Sequence, residues 1–441
     1  MPFKKNLFRG ITGILLAGAL YVGINRYHNP QATCYKPDNA KQVQTTSYEQ
    51  TIDNFVELDF NKLETVADAL LENSAIVPRL LTDIFVQDIM SNPTSLESAI
   101  KRSEDYMPYI KHIFQKKKVP KEYAFLAIPE SFFLNRRSHA GAKGVYQIMP
   151  RTGWHFGMVT KQGFDERDNV FLSAETAAKI LRFYYESFGS WELALARYNS
   201  GMPERYKREE NNISYEGYLR FLGRALYKEL EKNPIGNGIR HKIHGGETLA
   251  SILRRFSTYS TENLKTLMTA NNISNPRNIQ IGMEIYIPQT LVSKKAKISS
   301  RKVSFIKENL EYPPKFFAVL EILKNNYPAY FNIESEQPLF SINHTMYTKS
   351  LIVKKGHNLY SLAKRYNVPF GSLLEINGFD YQRTLSLGES IDLPHSNTTL
   401  SNMAKRLQMP LKKAKELNPH IKSPYAKLPA CTRVLAPQKF K

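Results

Sequence analysis

One carboxylate in this chain stands where an acid catalyst could use its neighbours. In the stretch FLAIPESFFLN, Glu130 follows an apolar run and precedes two phenylalanines. Tyr123, Leu126, Ala127 and Glu130 fall at i, i+3, i+4 and i+7, so a helix starting at Pro120 carries Glu130 on its apolar stripe. Pro129 lacks an N–H and should stop or bend that helix near Glu130. Loss of water and the negative end of the helix both favour the protonated carboxyl, desolvation being the larger effect. An acid that keeps its proton near neutral pH can give it to a leaving ether oxygen, which is what breaking a glycosidic bond requires. The same spacing also fits a glutamate at a helix end turned to solvent, and taken alone it favours that reading.

The residues that follow shift the balance. In SHAGAKGVYQIMPRTGWHFGM, Gly141, Gly144, Gly153 and Gly157 punctuate a region rich in rings, letting backbone come close to a ligand. Gln147 offers both a donor and an acceptor to an acetamido sugar. SAETAAKILRFYYESFG reads as a helix capped by Ser173, with Ala174, Ala177, Ala178 and Leu181 facing inward. SWELALARYNSG places Trp191, Ala194, Leu195 and Tyr198 on one face, where the Tyr198 phenol can orient the acid or hold a substrate.

These elements belong to a chain of 441 residues, enough for two or three domains. Its net charge of +21 favours an anionic partner: nucleic acid, acidic lipid or an anionic wall polymer. No helix-turn-helix, zinc or RNA-binding signature accompanies the charge, so nucleic acid is not expected. Cys34 and Cys431 are the two cysteines, too few for a disulfide framework or a metal cluster, and neither a metal nor a cofactor is expected. Lys4, Lys5 and Arg9 precede the uncharged run ITGILLAGALYVGI, which fits a signal-peptide core or a short membrane anchor. Export to the bacterial cell envelope follows, with inner- or outer-membrane association through this end.

The second part of the chain repeats itself. Residues 241–289 and 349–394 each read as a short strand, a turn glycine (Gly246 or Gly356), a capping residue (Thr248 or Asn358), two helices and a closing strand. TLSNMAKRLQMPLKKAKELNPHI keeps the two helices with weaker strands. These units resemble LysM modules, which grip N-acetylglucosamine-containing chains. The resemblance implies glycan contacts at Gly246, Thr248 and Asn272 in the first, and at Gly356, Asn358 and Asn377 in the second. Turns and caps that serve only the backbone explain the same residues.

From YMPYIKHIFQKKKVPKEYAFLAIPES through SHAGAKGVYQIMPRTG to SWELALARYNSG, the chain resembles family 1 soluble lytic transglycosylase domains, the membrane-bound lytic murein transglycosylase D type in particular. The resemblance implies that Glu130 is the catalytic acid and base. It also implies that Ser138, Gly141, Tyr146, Gln147, Tyr198 and Asn199 line the sugar site, with peptidoglycan glycan strands as substrate. Three departures are Pro129, a loop before Ser138 one residue shorter than usual, and Tyr146 in place of tryptophan.

The expected fold is a mostly α, lysozyme-like catalytic domain followed by small α+β (strand-helix-helix-strand) LysM-like modules. Residues 1–50 form a signal or anchor segment and tether, and 51–235 the catalytic domain. Residues 240–290 form a LysM-like module inserted in it, and 300–340 a helical segment that packs on it with Phe317, Val319, Leu320 and Leu323 inward. Residues 347–395 form a second module and 397–441 a degenerate third. The expected function is cleavage of the MurNAc-GlcNAc β-1,4 bond with formation of 1,6-anhydromuramyl ends. The rivals are a lysozyme-like hydrolase, which would draw a second carboxylate from FDERDN, and a non-catalytic peptidoglycan-binding protein.

Overall fold

The computed structural model describes residues 63–232, 239–243, 245–256, 259–291, 297–335, 340–344 and 347–437. The apolar N-terminal run, the tether and Cys34 lie outside these residues. Among the described residues, no helix is long and apolar enough to cross a membrane, and Cys431 is a buried free thiol.

The predominantly helical part runs α1 (Leu63–Glu72), α2 (Val77–Ser91), α3 (Thr94–Ser103), α4 (Met107–Lys116), a 3-10 segment (Lys121–Leu126) and α5 (Ala127–Ser131). There follow α6 (Pro150–His155), the two-residue strands β1 (Thr160–Lys161) and β2 (Phe164–Asp165), a 3-10 turn (Glu166–Asp168), α7 (Val170–Phe188), α8 (Trp191–Asn199), α9 (Met202–Glu209) and α10 (Tyr215–Lys232). Next come β3 (Ile239–Lys242), α11 (Leu249–Phe256), α12 (Thr261–Ala270), β4 (Glu284–Ile287), the long α13 (Lys297–Asn326) and α14 (Pro328–Phe331). The chain ends with β5 (Phe340–His344), β6 (Tyr347–Ile352), α15 (Leu359–Tyr366), α16 (Phe370–Asn377), β7 (Ser390–His395), α17 (Leu400–Arg406), α18 (Leu411–Leu417) and β8 (Arg433–Pro437).

Two compact units result. One comprises Met1–Val77 with Leu219–Glu308, the other Pro78–Tyr218 with Asn309–Lys441. In the first unit, β3 pairs antiparallel with β4. Ile243, Leu249, Ile252, Leu253, Leu267, Ile285 and Ile287 fill the core between this hairpin and α11–α12. Thr248 caps α11 by accepting from Ser251 N at 3.1 Å.

The second unit is built around α7 and α8. Asn169, not Ser173, caps α7, its Oδ1 accepting from Phe171 N and Leu172 N. Ser173 lies fully buried one turn further in. Ala174, Ala177 and Ala178 of α7 and Leu193, Ala194 and Leu195 of α8 are all fully buried, and the two helices pack on one another. The expected helix from Pro120 is a 3-10 segment followed by only five α residues. Pro129 therefore sits in the first turn of α5, where its missing N–H has no intrahelical partner to lose.

The second half of α13 and α14 rejoin this unit. Phe316 meets Tyr123 at 5.1 Å between ring centres, and Phe331 stacks on Phe125 at 5.6 Å. Lys111 Nζ donates to the carbonyls of Phe331 and Ile333 at 2.7 and 3.0 Å. The buried stripe is Phe316, Val319, Ile322 and Leu323; Phe317 and Leu320 are only partly covered. Relative to the expected stripe the helix is turned by about one residue, because Phe316 is the ring that meets Tyr123.

The third strand-helix-helix-strand unit has a complete hairpin. Its first strand is β5, which pairs antiparallel with β8, while β6 pairs with β7. The module of β6–α15–α16–β7 is thus nested between the first strand of the third unit and its helices. All three units share one device. Asn271, Asn377 and Asn418 each donate to the carbonyl four residues earlier and bridge to the closing strand at Tyr286, Asp392 and Leu435.

The nested module is welded to α6 and the residues after it. Val159 belongs to the module's core cluster, with Trp154 and Phe164 packed against it. His155 is sandwiched between Phe370 at 5.1 Å and Tyr381 at 5.0 Å. A Cβ on Gly371 would lie 2.5 Å from His155 O and 2.7 Å from Gly157 N, so the two backbones meet only because this residue is glycine. Ser372 Oγ then donates to Gly157 O at 3.0 Å.

Candidate active site

Glu130 lies at the end of the short α5, partly buried below a fully buried floor of Phe125, Leu126 and Ala127. The chain leaves it through Phe132 and Phe133, both in left-handed backbone at φ +54° and +57°. Bulky residues pay of order 1–3 kcal/mol each for such a conformation, and it persists only where surroundings enforce it. Here Arg102 enforces it by donating to Phe132 O from Nη2 at 2.6 Å and Nε at 3.1 Å.

Three hydroxyls fix what stands around the acid. Ser131 Oγ, fully buried, donates to Val145 O at 2.8 Å. Tyr146 OH donates to Ala124 O at 2.7 Å, and Tyr198 OH donates to Tyr146 O at 2.8 Å. Residues 145–146 are thereby tied to the segment carrying Glu130 on one side and to α8 on the other. Burial, and then the nearby Glu130 charge, push the Tyr198 phenol well above its ordinary range, so it stays a neutral donor.

A fourth hydroxyl comes from far along the chain. Tyr312, on α13, donates directly to Glu130 Oε1. A phenol held there fixes the orientation of the carboxyl. Beside it, Ser200 Oγ and Tyr218 OH both reach Asn309 Oδ1, the second at 3.2 Å, anchoring α13 to the end of α8. Tyr312 escaped the sequence reading because nothing local marks it. The one available signal was the adjacent Pro313–Pro314 pair, which lies inside α13.

The remaining predicted residues divide. Gln147 sits in left-handed backbone at φ +48°, its Nε2 donating to Gly144 O at 2.7 Å and Arg136 O at 3.1 Å. Ser138 Oγ accepts from Ala142 N at 3.0 Å, and Gly141 O accepts from Arg167 Nη1 at 2.9 Å, so both close the loop before Gln147. Asn199 Nδ2 is buried without a hydrogen-bond partner. Such an orphaned donor calls for a ligand or water to satisfy it. Tyr146 does not fit its expected role. Its ring is 0% exposed and packs on Phe114, so it offers no face to a sugar.

In the LysM-like units, Gly246, Thr248, Gly356 and Asn358 are exposed, the second and fourth as helix caps. Asn377 spends its amide on the helix-to-strand clamp. Its structural equivalent is Asn271; exposed Asn272 matches Gly378 instead. The sequence signal was present as an asparagine before the closing strand in TANN, EING and ELNP.

The carboxylates of FDERDN are engaged elsewhere. Asp165 pairs with Arg167 at 2.8 Å and Lys143 at 3.2 Å, Asp168 with Lys143 at 2.7 Å, and fully buried Glu166 with Arg433 at 2.9 Å.

A partly buried glutamate framed by tyrosines in a helical domain, followed by strand-helix-helix-strand modules, defines a class. Residues 108–219 match the Transglycosylase SLT domain, and residues 241–288 and 351–394 match the LysM domain. The chain carries an SLT lytic transglycosylase domain followed by two LysM modules. Over 128 residues it is 34% identical to the membrane-bound lytic murein transglycosylase D of Escherichia coli (strain K12), covering 29% of this chain and 28% of that protein. The protein of the same name from Escherichia coli O6:H1 matches with the same figures. The chain thus spans less than a third of the length of these relatives.

Proposed function

We propose that this chain is a peptidoglycan lytic transglycosylase of the cell envelope, cleaving between N-acetylmuramic acid and N-acetylglucosamine with Glu130 as its acid and base. The observation that carries this reading is the Glu130 carboxyl, half-sheltered and fixed by Tyr312 within the residues that match the SLT domain. Glu130 protonates the bridging oxygen as its bond to C1 breaks. The resulting carboxylate takes the proton from the muramyl 6-hydroxyl, whose oxygen bonds to C1 of the same sugar. The proton returns to Glu130, no water is consumed, and the new end is 1,6-anhydromuramyl.

Hydrolytic glycosidases pair two carboxylates across the bond. Asp165, Glu166 and Asp168 are each committed to buried or half-buried cations, which favours a nucleophile supplied by the substrate. Pro129, one of the three departures from the family pattern, occupies a first helical turn, which is compatible with an intact site. Asn199, with its unsatisfied amide, and Gln147, whose Nε2 is engaged within its loop and whose Oε1 can still accept, are the groups assigned to the acetamido sugar. The exposed LysM turns at Gly246–Thr248 and Gly356–Asn358 are assigned to N-acetylglucosamine along the strand. The N-terminal apolar run is assigned to export or anchoring.

The test is Glu130→Gln on purified sacculi with mass analysis of the products. Loss of a general acid lowers the rate by roughly 100- to 10,000-fold. A variant as active as the parent removes Glu130 from the mechanism, and reducing muramyl ends from the parent transfer the protein to the lysozyme-like hydrolases.

A further inference from the structure

The third unit contributes a buried arginine that the chemistry above leaves unused. Arg433 opens β8 and is 2% exposed. Its backbone N–H donates to Glu166 Oε1 at 2.6 Å, while Nε and Nη2 donate to Glu166 Oε2 at 3.0 and 2.9 Å. Nη1 donates to Glu175 Oε2 at 2.8 Å, and Lys117 holds the other oxygen of Glu175 at 2.8 Å. His420, also fully buried, meets the Arg433 carbonyl at 3.0 Å.

Glu166 passes this constraint inward. Its Oε2 accepts from Val159 N at 3.1 Å, and its own N–H donates to Val159 O at 2.9 Å. The next residue, Arg167, is 4% exposed and donates from Nη1 to Gly141 O at 2.9 Å and Ile148 O at 3.0 Å, the two ends of the loop holding Gln147. Lys143 of the same loop reaches Asp165 and Asp168. Arg167 O presses so close to Gly144 that any Cβ there would overlap it. One short turn, 166–168, therefore sets both ends of the loop that Ser131 and Tyr198 tie to the acid.

We propose that Arg433 is a positioning residue for the active site: by clamping Glu166 it holds the 166–168 turn, and through Arg167 the loop 141–148. A buried ion pair is often no more stabilising than apolar side chains of equal volume, but its directional bonds define one register. The third unit is on this view a structural part of the catalytic site, in addition to any glycan it binds. The activity arm of the test rests on the transglycosylase reading; the structural arm does not.

The experiment uses the full chain with Arg433→Lys, which keeps the charge and loses the fork. Amide hydrogen exchange is followed in residues 141–148 and in α8, and kcat and KM are measured on a soluble glycan too short to reach a LysM module. The expected result is roughly 10-fold faster exchange in 141–148, unchanged exchange in α8, and a fall of about 10-fold in kcat with a smaller change in KM. If the lysine variant fails to fold, the double variant Arg433→Gln with Glu166→Gln removes both charges together and is read in the same way. Unchanged exchange in 141–148 beside a lowered melting temperature overturns the proposal and leaves Arg433 as a peg. A parent chain inactive on every glycan refutes the transglycosylase reading, while the exchange arm still decides the role of Arg433.

Discussion

The two LysM modules follow one plan and differ in what their second helix meets. Aligned on the Asn271 and Asn377 clamps, Lys265 and Thr266 of the first correspond to Gly371 and Ser372 of the second. Lys265 and Thr266 are exposed; Gly371 and Ser372 are buried against His155 and Gly157. The core of the first module is made of its own residues, whereas that of the second includes Val159 from the stretch that matches the SLT domain. A dipeptide thus separates a module whose second helix is exposed at that point from one packed against α6 and the residues after it. Fusion makes the nested module part of the stability of the residues that match the SLT domain.

The largest expected effect comes from excision. Removing residues 347–437 exposes Trp154, Val159 and Phe164 and takes Arg433 from Glu166, so activity on a short soluble glycan should fall at least ~10-fold. Replacing 239–291 by a short linker should keep that activity within about 2-fold and lower mainly retention on sacculi. Equal losses from the two excisions would erase the distinction.

Acid should act next, and on the fused side. Burial lowers the His420 pKa to about 4, with Arg433, Asp165 and Asp168 the charges around it. A folded value below the unfolded one means a contribution complete above about pH 6.5 and lost as pH falls through 4. That amounts to about 3 kcal/mol. Burial opposes the charge of Glu175, but Arg433, Lys179 and Lys117 outweigh it and hold the group at about 2, so its own share is lost only in stronger acid. Melting temperature measured from pH 7 to 4 should drop, and His420→Phe should flatten the curve. The equivalent positions, Ile273 and Phe379, carry no titratable group.

The smallest change separates the modules most cleanly. Gly371→Ala pushes a methyl into backbone and should cost about 1–3 kcal/mol. Lys265→Ala, at the matching exposed position, should change stability by less than about 0.5 kcal/mol. Thermal melts of the two variants check both, and a neutral Gly371→Ala would mean that the contact yields.

What the sequence made legible was local. Glu130 with its apolar run, the alanine faces of α7 and α8, and the caps Thr248 and Asn358 all depend on neighbours within a turn or two. What it hid depends on distance. Tyr312 reaches Glu130 across 182 residues, and β5 finds β8 only after a whole module has intervened. The resemblance implied a sugar contact for Tyr146, but the local sequence does not say which side of a loop faces the core, and its ring packs on Phe114. The helix-to-strand clamp was not read at all: NN offers two candidates, and the bonds to Leu267 and Tyr286 choose Asn271. The rival hydrolase needed a second carboxylate from FDERDN, and the cations that engage Asp165, Glu166 and Asp168, one of them 267 residues from its partner, were not legible in the sequence.

The most direct test of a substrate-supplied nucleophile is digestion of purified peptidoglycan in heavy-oxygen water, followed by mass spectrometry of the released muropeptides. A single acid at Glu130 working on the muramyl 6-hydroxyl predicts anhydro products with no label from solvent. Heavy oxygen at the muramyl C1 would show that water attacks in place of the 6-hydroxyl.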